Sequence, residues 1–147
     1  MALSRMPARS RARRGAVQAL YQWQVGGSSS ADIRTEFRER DGMQNVDWSY
    51  FDALVDGVIR DVDTLDALLT PRLDRAVASL DPVERAILRL AALELRDHPE
   101  VPFRVVINES IELARTFGAE QSHRYVNGVL DALARDVRPG EARNARP

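Results

Sequence analysis

Between Phe103 and Leu133 apolar residues recur every third or fourth position, and that spacing dictates a pair of helices. Phe103, Ile107, Ile111, Ala114 and Phe117 share one face of a 3.6-residue period, and Val126, Val129, Leu130 and Leu133 form a second stripe. Gly118 lies between them and reads as the left-handed C′ residue that ends the first helix. The polar run Glu120-Gln121-Ser122-His123-Arg124-Tyr125 joins the stripes. It reads either as a plain polar connection or, more sharply, as a binding edge formed by Gln121 to Tyr125 on a rigid hairpin. Asn127 and Gly128 read as structural. A mid-helix glycine costs about 1 kcal/mol relative to alanine, which suggests that another backbone approaches closely there.

The same period runs through the rest of the chain. A first helix is predicted over residues 8–25, with Ala12, Ala16, Ala19, Leu20 and Trp23 facing in and Arg14, Gln18, Tyr21 and Val25 facing out. Ser30 reads as the N-cap of a short second helix that carries Ile33 and Phe37 inward and ends at Gly42. Asp47 caps a long third helix whose stripe runs from Phe51 to Leu69, and Pro71 opens a short fourth one that reaches Leu80. Asp81-Pro82-Val83-Glu84 is a start signal: a capping acid, proline at the first position, and Glu84 reaching back. The fifth helix is apolar around most of its circumference to Asp97, so it is expected at the centre. Glu94 lies near its apolar residues, at the fraying end or paired, because an unpaired buried carboxylate is too costly. No window alternates for long with β-branched enrichment, so no sheet is expected. The fold class is all-α with seven helices, as one domain over residues 1–138 with a basic N-terminal arm over about residues 1–14. Residues 139–147 read as a disordered tail.

Charge is unevenly spread. Residues 1–31 carry five arginines and no acid, while the remainder carries sixteen arginines against twenty-two acids, and there is no lysine. A basic end on a mildly acidic body suggests that this end meets a polyanion. Catalytic constellations are missing. Without lysine there is no P-loop, and without cysteine there is neither disulfide nor thiolate chemistry. His98 and His123 are the only histidines and lack metal-ligand spacing. Ser122 and His123 are neighbours, which a helix points about 100° apart. The chain therefore reads as non-enzymatic, with no cofactor and no metal. Single-stranded RNA is held by cations along phosphates and by aromatic planes on bases. Arg14, Gln18 and Tyr21 on one outward face, with Tyr125 as a second plane, suit that chemistry. The tyrosines equally suit helix packing with wet hydroxyls, and spacing alone leaves both readings open.

Three ordered blocks carry a resemblance. RARRGAVQALYQWQ near the N-terminus, LDPVERAILR at Leu80–Arg89 and VPFRVVINESIELARTFGAEQSHRYVNGVLDAL at Val101–Leu133 resemble the bacterial transcription antitermination factor family NusB. The resemblance implies two three-helix subdomains and a cytoplasmic protein. It implies binding of boxA-type single-stranded RNA together with NusE, a ribosomal small-subunit protein, within an RNA polymerase antitermination complex that promotes read-through and ribosomal RNA transcription. It places RNA contacts at Arg9, Arg11, Arg13 and Arg14, at Tyr21 with Gln18 on the same face, and at Gln121, Ser122, His123, Arg124 and Tyr125. Gln121 stands where an acid is common and Tyr125 where phenylalanine is. It places the partner near the start of the fifth helix, at Glu84, Arg85 and Leu88. Some relatives form homodimers that cover the RNA surface. Two other readings remain: an accessory module for an RNA-modifying enzyme, and a helix-turn-helix DNA binder built on the last two helices.

Overall fold

The computed structural model describes residues 6–144; Arg5 and the start of the basic arm lie outside the described residues. The elements are α1 (Ala8–Gly26), α2 (Ser30–Arg38), α3 (Trp48–Arg60), α4 (Val62–Leu69), α5 (Pro82–Asp97), α6 (Phe103–Phe117), α7 (Ser122–Val137) and α8 (Pro139–Asn144). There is no strand among the described residues, and no helix among them is long and apolar enough to cross a membrane.

Two helix groups share one core. Helices α1, α2 and α3 pack together around Phe37, Phe51 and Leu20; α5, α6 and α7 pack around Ile87, Ile107 and Leu130. Helix α1 lies against α5 as well as α3, so it belongs to both groups. Its inward face is built of small residues: Ala12, Ala16 and Ala19 are fully buried, and a Cβ at Gly15 would meet Met43 Cε at 2.9 Å. Helix α5 is buried without a break from Ala86 to Leu88 and from Leu90 to Leu95, which makes it the central helix. Its start follows the sequence signal, since the Asp81 carboxylate accepts from the N–H groups of Val83 and Glu84.

Several details differ from the sequence reading. The predicted long helix from Asp47 to Leu69 breaks at Asp61, whose φ of −109° and ψ of 24° leave the helical region. The Asp61 carboxylate meets Arg96 of α5 at 2.6 Å, and the break lets α4 follow α5. The predicted fourth helix is two 3₁₀ turns, Thr70–Arg72 and Val77–Ser79. Ser29 rather than Ser30 caps α2. Gly118 is extended, with φ −87° and ψ 171°. It is needed for space instead: a Cβ there would lie 2.7 Å from Ala114 O and 2.9 Å from Ser122 Cβ. The left-handed turn residue is Gln121, at φ 77°. Gly128 is exposed, and a Cβ added there would meet no neighbouring element within 4 Å, so no other backbone approaches it.

The expected tail is ordered through Asn144, while residues 145–147 lie outside the described residues. Arg138 is the reason. Its guanidinium donates to the carbonyls of Glu94, Leu95, His98 and Val101, in the last turn of α5 and the loop that follows it. Glu141 then accepts from Phe103 N at 2.8 Å, and Ala142 is buried.

Candidate functional site

Helix α1 has a buried polar end and an open apolar end. At the first, Arg13 Nε donates to both carboxylate oxygens of Glu94 at 2.8 and 3.0 Å, and Nη1 donates to Glu109 at 2.9 Å. Tyr50 Oη donates to Glu94 at 2.5 Å and Ser10 Oγ to Glu109 at 2.6 Å. Burial works against the Arg13 charge, but the hydrogen bond and charge of Glu94 more than offset it, so the guanidinium pKa is raised. Burial, and then the Glu94 charge, raises the Tyr50 phenol as well. Glu94 is therefore paired rather than fraying. The same geometry corrects two assigned RNA contacts. Arg13 is 4% exposed and spent on carboxylates; Arg11 is 8% exposed and donates to Met6 O and Gln44 O. From Ala8 onward the expected arm is part of α1 and is anchored at Arg13.

Arg9 and Arg14 are less enclosed, the first exposed and the second half-buried. Arg9 is exposed over the Tyr50 ring, 4.2 Å from its centroid, with Asp47 at 3.9 Å and Glu100 at 3.8 Å. Arg14 has no carboxylate partner among the described residues and lies 4.9 Å over the ring of Phe117.

Toward its other end α1 forms one wall of an open groove of about 470 Å³. Val17, Gln18, Tyr21 and Val25 line that wall, and Val83 of α5 and Phe117 of α6 line the facing one. Tyr21 is 39% and Val25 59% exposed, as the outward face of the period requires. Gln18 Nε2 donates back to Arg14 O at 3.2 Å. Periodicity places Phe117 in the core; its position at the end of the α6 stripe is the one sign in the sequence that it also reaches the surface.

The polar run 121–125 divides. Gln121 and Arg124 are exposed and His123 is half-buried. Ser122 is buried and donates to Glu84 Oε2 at 2.6 Å, so Glu84 reaches across to α7 rather than back to its own N-cap. Tyr125 Oη donates to Asp74 Oδ1 at 2.9 Å, with Arg75 above the ring. The Asp74 carboxyl is lowered to about 2, first by its hydrogen bond from Arg75 and then by that from Tyr125. Ser122 therefore serves as an internal link, which corrects its reading as a contact residue. Of the partner candidates, Leu88 is fully buried and has no surface to offer a partner. Glu84 and Arg85 are half-buried at the start of α5, beside the groove residue Val83.

An all-helical body with an open apolar groove, flanked by an arginine that has no carboxylate partner among the described residues, is the architecture of a binding protein. A profile of the NusB family matches residues 10–135. The transcription antitermination protein NusB of Alcanivorax borkumensis is 55% identical over 95% of this chain and 93% of that protein. That of Idiomarina loihiensis is 52% identical over 90% and 95%. Among solved structures, NusB of T. maritima superposes with a TM-score of 0.79 at 28% identity, covering 95% of this chain and 99% of that one. A crystal structure of antitermination factors NusB and NusE in complex with dsRNA gives 0.75 at 28% identity, covering 86% and 96%. The chain belongs to the NusB family, a family of non-enzymatic transcription antitermination factors.

Proposed function

We propose that this chain binds boxA-type RNA and NusE together on the surface around α1, and thereby serves a cytoplasmic RNA polymerase complex that reads through terminators. One observation carries the reading: Arg14, with no carboxylate partner among the described residues, and an apolar groove lie side by side on one anchored helix. The groove walls of Val17, Tyr21, Val25, Val83 and Phe117 suit a protein surface, since apolar and aromatic anchors supply most docking energy. Arg9, Arg14 and Gln18, with Gln121, His123 and Arg124 on the adjoining α7 end, offer charge and hydrogen bonds that suit RNA. The relatives' function and the NusB–NusE–RNA structure support the same pairing.

The test is fluorescence anisotropy with labelled single-stranded boxA RNA, alone and with NusE. NusE should tighten RNA binding, and unlabelled duplex DNA at equal salt should compete poorly. Duplex DNA outcompeting boxA would favour the helix-turn-helix reading instead. That reading has little support, because α7 would meet phosphates with Arg124 and Arg135 while the acid Asp131, paired with Arg104, lies between them in the helix.

A further inference from the structure

Across Gln24 from the groove lies a second depression of about 570 Å³, between the end of α1, α4 and the first turns of α5. Trp23, Gln24, Asp66, Ala78, Arg85 and Arg89 line it. Its two arginines are in opposite states. Arg89 is paired: Nε and Nη2 donate to the two oxygens of Asp66 at 2.8 Å each, and Nη1 to Gln24 Oε1 at 3.0 Å. Arg85, one turn earlier, has no carboxylate partner among the described residues. Its one hydrogen bond among them, from Nη1 to Ala78 O, is long at 3.3 Å. Its Nε is buried with no acceptor. A buried donor without an acceptor carries a desolvation penalty, and a guanidinium cannot escape it by losing its proton.

We propose that Arg85 is a carboxylate-accepting site, filled by an acidic side chain or chain terminus of the protein that docks in the neighbouring groove. The proposal rests on the groove being a protein-docking surface. Three features define the ligand. Asp66 cancels the charge of Arg89, so the depression has one uncompensated positive charge, which matches one carboxylate. The planar guanidinium fork accepts a carboxylate through two parallel hydrogen bonds. A nucleic-acid strand is disfavoured, because its phosphates would pass Asp66 with a single free cation to meet them, whereas phosphate tracks use several. The depression also adjoins the groove. Gln24, which lines the depression, donates Nε2 to Pro82 O at 2.8 Å, next in the chain to the groove residue Val83. A protein seated against Val25 and Val83 would stand two residues along α5 from Arg85.

The direct test follows the arginine Nε–H resonances of the full chain by NMR during titration with sodium acetate, with sodium phosphate at equal ionic strength as the second arm. The Arg85 signal should shift and saturate with acetate, and Arg89 should stay still. Equal movement of both arginines, or a larger response to phosphate, overturns the proposal. A further arm measures NusE affinity. Arg85→Gln should weaken it about tenfold or more with an unchanged melting temperature, since charge-assisted bonds are lost but no internal ion pair is. Val25→Glu should abolish it by placing a charge in the groove. If Val25→Glu abolishes binding and Arg85→Gln changes nothing, the groove reading stands and the carboxylate site is overturned. If Val25→Glu leaves NusE affinity intact, it is the groove reading that fails, and the acetate arm still decides whether Arg85 accepts a carboxylate.

Discussion

The two ends of α1 use side chains in opposite ways. At the N-terminal end, Arg13 is enclosed with Glu94, Glu109 and Tyr50, and its guanidinium is committed to those carboxylates. At the C-terminal end, Tyr21 and Val25 stand open beside Val83 and Phe117. Half of the arginines on this helix are structural, and the exposed surface of its C-terminal end is largely apolar. Basic character in a sequence therefore overstates how many cations meet a polyanion: of Arg9, Arg11, Arg13 and Arg14, two are engaged inside the fold.

The enclosed end is the more fragile of the two. Arg13→Ala leaves the Glu94 carboxylate buried without its cation and should cost about 3–5 kcal/mol of stability, read from a denaturant melt. Deleting residues 1–14 should unfold the protein for the same reason. A variant that melts like the parent but loses RNA would mean that the junction is a binding site after all. At the open end, Tyr21→Ala should leave the melt unchanged and cost roughly 1–3 kcal/mol of NusE affinity, measured by calorimetry. Tyr21→Phe should cost much less. If Tyr21→Ala instead lowers stability by several kcal/mol, Tyr21 belongs to the core.

A smaller effect is expected on α7. Gly128→Ala should stabilise the protein by about 1 kcal/mol, since the site is open and the helix gains propensity. Weakened ligand binding by that variant would make the outer face of α7 part of the interface. Asp74 should show the least change. Its carboxyl is held below its ordinary 3.8, at about 2, so its contribution is complete above pH 3.8 and is lost as pH falls toward 2. Tyr125→Phe removes one of the two holding bonds and should move the Asp74 midpoint upward in an NMR titration. A midpoint that does not move would mean that Arg75 alone holds it.

Much of the architecture was legible because helical periodicity is a local property. The outward face of α1 from Arg14 to Val25, the encircled apolar character of α5, the Asp47 and Asp81 caps and the α6–α7 hairpin each follow from residues within a few turns of one another. The misreadings share a cause. Asp61 carries no breaker signal of its own, and its departure from helix accompanies an ion pair to Arg96 on another element. The tail looked featureless because Arg138 finds its acceptors at the far end of α5, 37 to 44 residues away. Glu84 matched a capping box, yet its carboxylate bonds Ser122 on α7.

Short-range spacing and ordered motifs were enough to show which residues form helices, which face of each is apolar and which family the chain resembles. What each charged side chain does was settled in three dimensions. Arg13 and Arg14 are neighbours in the chain and indistinguishable by type, but α1 directs one toward Glu94 and Glu109, 81 and 96 residues away, and the other over Phe117. A helix turns by about 100° per residue, so adjacent arginines meet different neighbours, and which neighbours those are depends on how the helices cross.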